Sequence, residues 1–249
     1  MAPMKSVTAA LLIIGDEILS GRTQDQNIRY IGGYLGQIGI ELREARIVRD
    51  VTEDIVAAVN GLRQRFTYLF TTGGIGPTHD DITADAIASA LGVEISEDER
   101  AIGLMLEKIK AEDLNAARRR MARIPHGARL VRNKISAAPG FWIENVIVLA
   151  GVPAIMQSML DDVAPRLRGS DLMQVVTIAA HGLPEGAYAT ELGGIAASRP
   201  ELSIGSYPAY RDGGFENEVV VRGKNRAEVD ATAAAIGALI ERVKRDLRS

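Results

Sequence analysis

The segment Thr71-Thr72-Gly73-Gly74-Ile75-Gly76-Pro77-Thr78-His79-Asp80-Asp81-Ile82-Thr83 joins a short apolar run, Tyr68-Leu69-Phe70-Thr71-Thr72, to a helical pattern over residues 83–91, where Ala86, Ile87 and Ala90 share one side. Run, glycine turn and periodic segment together read as strand, loop and helix. Upstream, Val7-Thr8-Ala9-Ala10-Leu11-Leu12-Ile13-Ile14 is a continuous apolar run ended by Gly15, the pattern of a strand buried on both faces. Ile28, Ile31, Leu35 and Ile38 then recur at helical spacing before Gly39, which reads as a stop. Residues 40–48 read as the second strand, and Ile55, Val59 and Leu62 mark a helix over residues 54–65. Strands thus alternate with helices three times by residue 91. Parallel strands need such crossovers, so the expected class is α/β with a doubly wound sheet.

Downstream, residues 97–121 read as helical and charged. Arg118-Arg119-Arg120 there is either a solvated face or a phosphate-contacting patch. Residues 124–139 read as irregular with short strand-like pieces, residues 145–150 as another buried strand, and residues 154–167 as a helix with Pro153 at its start. The character changes near Gly169-Ser170, which gives domains of 1–169 and 170–249. In the second, strands over 173–180, 202–206 and 218–222 alternate with helices over 184–198 and 226–247, the turn Arg211-Asp212-Gly213-Gly214 preceding the last strand. The order βαββα predicts a small α+β domain.

Composition narrows the function. Hydrophobic residues make up 47% of the 249 and aromatics only 4%, so small aliphatic side chains must fill the core. A formal charge of −3 gives no electrostatic reason to expect nucleic acid as a partner. There is no cysteine, which excludes disulfides, thiol catalysis and Cys-ligated zinc. His79, His126 and His181 are scattered, which argues against a zinc site. No run approaches the roughly 20 residues needed to span a bilayer, and no signal-peptide pattern follows the first apolar run. The expectation is a cytoplasmic protein without a membrane partner.

Three segments carry candidate chemistry. Ligands of open α/β sheets bind beyond the carboxyl ends of the strands, where the Gly73 segment must lie. Its three glycines let backbone approach a guest, and amides before a helix N-terminus favour an anion such as phosphate. Asp80 and Asp81 beside a phosphate make sense with a divalent cation between them, since Mg²⁺ takes carboxylate and phosphate oxygens. An ordinary tight turn with Asp81 as helix N-cap is the alternative reading. Gly15-Asp16-Glu17-Ile18-Leu19-Ser20-Gly21 closes the first strand. If the first and third strands are neighbours, Asp16 and Glu17 face the glycine turn, with Asp50 a weaker member of the same rim. Asn27 is a candidate ligand contact or the cap of the next helix. Ser136-Ala137-Ala138-Pro139-Gly140-Phe141 and Gly151-Val152-Pro153 form a third candidate, with Arg132 and Lys134 as nearby positive charge. His79 reads as a surface residue or an acid–base group. Neither a Walker A loop nor a Gly-x-Gly-x-x-Gly after the first strand is present, which disfavours P-loop NTP hydrolysis and a Rossmann NAD site.

These motifs resemble a known family. The Thr71–Thr83 segment is similar to the signature of the molybdopterin-binding-like domain. That domain occurs in competence/damage-inducible protein A, in molybdopterin adenylyltransferases and in the hydrolase half of eukaryotic FAD synthases. Gly15-Asp16-Glu17-Ile18-Leu19-x-Gly21 with Asn27 resembles the family's first motif, and Ala138-Pro139-Gly140-Phe141 and Gly151-Val152-Pro153 resemble later ones. Leu202-Ser203-Ile204-Gly205-Ser206-Tyr207-Pro208 resembles the second domain of the FAD-synthase and competence-protein branches. Ala150 stands where the family often has Pro, and Ser136-Ala137 where competence proteins often have Gly-Thr.

The resemblance implies a three-layer α/β/α domain with a mostly parallel sheet that binds molybdopterin or an adenine dinucleotide. In two branches it implies metal-dependent cleavage of a pyrophosphate, with ADP-ribose or FAD as substrate. Asp16, Glu17, Asp80 and Asp81 become candidate catalytic residues, Asp80 and Asp81 also as ligands of Mg, Mn or Co. Candidate ligand contacts are Gly15, Asn27, Thr72, Gly73, Gly74, Gly76, Pro77, Thr78, Thr83, Ser136, Pro139, Gly140, Gly151 and Pro153. Related domains are commonly oligomeric, so a homo-oligomer, dimer or trimer, is expected. The resemblance reaches neither the amidase domain of competence proteins nor the adenylyl-transferring half of FAD synthases, so neither activity is expected. The expected function is a metal-dependent nucleotide pyrophosphatase. A molybdopterin-binding protein without catalysis, or an adenylyltransferase-like enzyme of molybdenum cofactor metabolism, is the alternative.

Overall fold

The computed structural model describes residues 6–211 and 213–247. They fall into two compact units that divide between Ser170 and Asp171. Asp212, within the expected turn before the last strand, lies outside the described residues.

The first unit runs β1 (Thr8–Ile14), α1 (Asp16–Leu19), α2 (Asn27–Gln37), β2 (Glu41–Val48), α3 (Thr52–Arg63), β3 (Tyr68–Thr72), α4 (Thr83–Leu91), β4 (Ile95–Glu97), α5 (Glu99–Leu106), α6 (Ala116–Arg120), β5 (Arg123–Pro125), β6 (Arg129–Val131), β7 (Gly140–Ile143), β8 (Val146–Leu149) and α7 (Pro153–Val163). Its main sheet has the order β2-β1-β3-β8-β7-β6. The first four strands are parallel, and β7 and β6 continue the sheet antiparallel. β1 and β3 are neighbours, with Ile13 opposite Thr72.

All seven residues of β1 and all five of β3 are buried, as strands covered on both faces must be. Period two then sorts their side chains between two cores. Ala10, Leu12, Ile14 and Leu69 pack with α3, α4 and α5. Ala9, Leu11, Ile13 and Phe70 pack with α2 and α7. The result is a mostly parallel three-layer α/β/α unit whose loops after β1, β2, β3 and β8 all emerge at one end of the sheet.

The charged stretch over 97–121 is not one helix. Asp98 caps α5 by accepting the N–H groups of Arg100 and Ala101, and Asn115 caps α6 by accepting that of Arg118. Between them Ala111–Asp113 forms a single 3₁₀ turn. Short polar side chains that bond nearby backbone restart a helix rather than continue it.

The second unit holds β9 (Gln174–His181), α8 (Ala189–Ala197), β10 (Ser203–Tyr207), β11 (Tyr210–Arg211), β12 (Gly214–Gly223) and α9 (Arg226–Asp246). β12 is central and pairs antiparallel with β9, β10 and β11. Val229, Ile236, Ile240 and Val243 of α9 cover one face of the sheet through Ala180, Val219 and Val221. The expected helix over 184–198 begins instead as a 3₁₀ turn at Glu185–Ala187 and becomes α-helical after buried Tyr188. No helix among the described residues is long and apolar enough to cross a membrane.

Candidate functional site

At the carboxyl ends of β1, β2, β3 and β8 the loops enclose a cavity of about 500 Å³, within the usual range for small-molecule sites. Gly73, Gly74, Ile75, Gly76 and Pro77 form part of its wall, with Glu17, Asp50, Asp80 and Asp81 beside them. Ser136, Ala137 and Ala138 contribute from the loop before β7, and Gly151 and Val152 from the loop before α7.

The glycine turn is tightly specified. Gly73 has φ 101°, and a Cβ there would meet the Ile14 carbonyl oxygen at 2.0 Å. Only glycine reconciles that conformation with that approach. The Thr83 hydroxyl donates to the Gly73 carbonyl at 2.9 Å, and the Thr83 N–H donates to the Gly74 carbonyl at 3.0 Å. The turn is thereby pinned to the first residue of α4. The N–H groups of Gly74, Ile75 and Gly76 donate to no loop or side-chain acceptor among the described residues.

Asp81 is not the helix cap that one reading of the sequence made it. The cap position of α4 is Ile82, with no side-chain cap. The Asp81 carboxylate instead accepts the Thr78 N–H at 2.8 Å and the Thr78 hydroxyl, closing the 78–81 turn. Asp80 projects with a mostly exposed side chain. The Thr78 hydroxyl within its reach holds the Asp80 carboxyl below the ordinary carboxylate range, assisted by Asp80's own N–H and by His79. His79 itself is 98% exposed at the side chain and stands outside the cavity wall.

Asp50 accepts the Asp16 N–H at 2.9 Å and so ties the loop after β2 to the start of α1. Burial lifts the Asp50 carboxyl above its ordinary range, against the pull of the Asp16 N–H, and the charges of Glu17, Asp16 and Asp80 add to the rise. Four carboxylates therefore crowd one region of the rim, a local excess of negative charge that a cation would relieve.

Asn27 does not cap α2 either. It is the first residue of that helix, and the Asp25 carboxylate takes the Ile28 N–H. The Asn27 side-chain N–H₂ donates to the Gly151 carbonyl at 2.9 Å. Gly151 stands against the glycine turn, where an added Cβ would lie 3.2 Å from the Gly73 Cα.

Of the sequence candidates, Glu17, Gly73, Gly74, Gly76, Pro77, Asp80, Asp81, Ser136 and Gly151 line the cavity. Gly15, Asp16, Asn27, Thr72, Thr78, Thr83, Gly140 and Pro153 do not. Pro139 lines a narrow crevice on the far side of the Gly74–Gly76 turn. Sequence reasoning missed the apolar wall: Met105, Ile109, Met121, Ile155 and Met159. Methionine and isoleucine at helical spacing read as core, so no signal separated them. Arg118 also faces the cavity.

Residues 10–169 match the family described as "Probable molybdopterin binding domain". The chain belongs to this family. Residues 177–246 of this molybdopterin-binding-domain protein match a second family, "FAD synthase, middle domain". A solved structure of CinA from Thermoplasma acidophilum, described as of unknown function, is 31% identical with a TM-score of 0.61, covering 65% of this chain and 99% of its own. A Caldivirga maquilingensis protein is 36% identical over 166 residues, 64% of this chain and 65% of its own length. A Thermococcus kodakarensis protein is 38% identical over 181 residues, 67% of this chain and 72% of its own. The chain thus spans slightly less than two thirds of the Caldivirga relative.

Proposed function

We propose that this cavity binds a phosphorylated nucleotide or pterin, and that the chain hydrolyses the phosphoanhydride of an adenine dinucleotide-type substrate such as ADP-ribose or FAD. One observation carries the reading: unengaged amides of the glycine turn, the carboxylates of Glu17, Asp50 and Asp80, and the Arg118 cation line the same 500 Å³ space. The match of residues 177–246 to the FAD synthase middle domain supports the adenine dinucleotide over other phosphate esters.

Among the described residues no three His, Asp or Glu side chains form a ready-made metal cluster. Mg²⁺ is commonly held by only one or two carboxylates, with substrate phosphates and water completing its shell. The donor set therefore fits a divalent ion, Mg, Mn or Co, that binds together with a phosphorylated guest, Asp80 and Asp81 being its protein ligands. Such an ion, when bound, supplies charge neutralisation on the phosphoanhydride and lowers the pKa of water. The chain's own groups supply the rest. The Gly74–Gly76 amides stabilise charge developing on the attacked phosphoryl group. Glu17 and Asp50 face the same space and offer an acceptor for the proton of the attacking water. The water oxygen bonds to one phosphorus, the bridging P–O bond breaks, and two monophosphates leave, one of them AMP.

The test is direct. Purified protein is incubated with ADP-ribose or FAD and Mg²⁺, Mn²⁺ or Co²⁺, and AMP is measured. AMP formation that Asp81→Asn abolishes with the fold intact is the expected result; no turnover with any pair sinks the hydrolase reading. The family match favours a second reading, a molybdopterin carrier or adenylyltransferase-like enzyme. Tight, metal-indifferent binding of molybdopterin that persists unchanged for hours marks the carrier, and reaction only with ATP and pterin together marks the transferase. A homo-oligomer, dimer or trimer, is proposed as the working form, to be checked by sedimentation.

A further inference from the structure

Several arginines near α5 and α6 are engaged by carboxylates, while Arg120, which lies outside the cavity lining, donates to the Asp81 carbonyl at 3.5 Å. Arg119 pairs with Glu97, Arg123 with Asp85, Arg100 with Asp98 and Arg132 with Glu107. Arg118, among the described residues, forms no ion pair. It is half-buried and faces a cavity whose other charged lining residues, Glu17, Asp50, Asp80 and Asp81, are all acidic. No carboxylate oxygen lies within ion-pairing distance of its guanidinium, so the cation and the acidic residues share the cavity wall without pairing.

The Arg118 side chain is also held in place. One guanidinium N–H donates to the Asp113 carbonyl at 2.7 Å, and the backbone N–H is fixed by the Asn115 carboxamide oxygen at 3.0 Å. Buried Leu114 anchors the same segment. A guanidinium has five N–H donors in a planar fork that matches phosphate oxygens. One contact to the chain leaves most of that fork for a guest, already oriented.

We propose that Arg118 binds a second anionic group of the guest, beyond the phosphate held at the Gly74–Gly76 turn, and so selects a diphosphate ester over a monophosphate. This rests on the proposed reading of the cavity as a phosphate site. The Gly turn takes one phosphoryl group with Asp80 nearby, and the Arg118 guanidinium on α6 takes the next along the ester. A pre-oriented cation without a carboxylate partner, in the same cavity as an anion cradle, is the arrangement that rewards two linked anions and gives little to one.

The experiment measures binding of methylene-bridged ADP, whose bridge resists cleavage, and of AMP, by titration calorimetry with Mg²⁺ present. Wild type is compared with Arg118→Gln and with Arg119→Gln, which removes the same charge from the exposed Glu97 pair next door. Arg118→Gln is expected to weaken methylene-ADP about ten- to a hundredfold, the range of a lost charge-assisted hydrogen bond. AMP binding should move by less than about threefold, and Arg119→Gln should leave both unchanged. Thermal unfolding of each variant checks the fold, and Arg118→Lys, which keeps the charge without the fork, should recover binding only in part. Equal binding of methylene-ADP by wild type and Arg118→Gln overturns the inference, as does equal weakening of AMP. If wild type binds neither probe, the phosphate-site reading itself fails, and this inference with it.

Discussion

The Asn27 side-chain amide donates to the Gly151 carbonyl at 2.9 Å, joining residues 124 apart in sequence. Asn27 is buried, and its own carbonyl oxygen has no partner. Gly151 in turn packs on Gly73. The start of α2, the loop before α7 and the glycine turn are therefore tied together behind the cavity.

Asn27→Asp should expose the cost of this link. The carboxylate cannot donate, so the Gly151 carbonyl loses its partner and a buried charge faces it, at a cost of about 2–4 kcal/mol. Tm should fall by on the order of 5–10 °C for a unit of this size. The deficit should shrink in acid, where a protonated carboxyl regains a donor. Scanning calorimetry at neutral pH and at pH near 4 checks both; a Tm equal to wild type at neutral pH removes the claim.

Gly73→Ala should be among the most damaging changes in the first unit. A Cβ placed 2.0 Å from the Ile14 carbonyl at φ 101° has no room and the wrong backbone. A loss above about 3 kcal/mol and loss of nucleotide binding are expected. Gly103, inside α5 with no atom within 4 Å of an added Cβ, is the contrast. Gly103→Ala should stabilise by about 0.5–1 kcal/mol through helix propensity. Denaturant midpoints of the two variants should move in opposite directions.

Thr83→Val keeps shape and removes the hydroxyl that holds the Gly73 carbonyl. Thr83 is fully buried, so the carbonyl is left without that donor, at about 1–2 kcal/mol. Turnover of ADP-ribose should fall more than stability, because the amides of the turn lose their fixed aim. A variant with full activity would mean that the turn holds itself.

Asp50→Asn should raise stability while lowering activity. The Asp50 carboxyl sits above its ordinary range in the folded chain, so between the unfolded value, about 3.9, and the folded value the native state binds more protons than the unfolded one. Stability falls as pH rises through that window, and the full penalty is present above it. Asn removes the penalty and still accepts the Asp16 N–H. The gain in Tm should be largest at neutral pH and vanish as pH drops below about 4; a gain that is flat across pH, or absent, contradicts the assignment of burial as its cause.

The fold was legible where one physical constraint dominated. A run such as Val7–Ile14 has one stable place, a strand covered on both sides, and crossovers of helical period leave its neighbours parallel. The carboxyl-end rule puts the loops of Gly73 and Gly151 at one end of the sheet, and both glycines line the cavity there. Local polar bonding was harder to read. Asp81 and Asn27 are good caps by residue type, yet Thr78 claims the first and the Gly151 carbonyl the second. The break between α5 and α6 shows in the 3₁₀ turn at Ala111–Asp113 and in Asn115 winning the Arg118 N–H, within a stretch whose charges suit one long helix.

Periodicity and glycine placement act within a few residues, so the amino-acid order alone determined a mostly parallel α/β unit with glycine-rich loops at the carboxyl ends of its strands, followed in sequence by a smaller unit of strands and helices. Which side chains meet in the cavity was settled only by folding. Met105, Met121 and Arg118 share the wall with Gly74 and Asp80 because α5 and α6 pack beside the loop after β3. Nothing in local propensity distinguishes a methionine that seals a core from one that lines a cavity, or an arginine in solvent from one that shares a cavity wall with carboxylates; that difference exists only once distant segments are brought together.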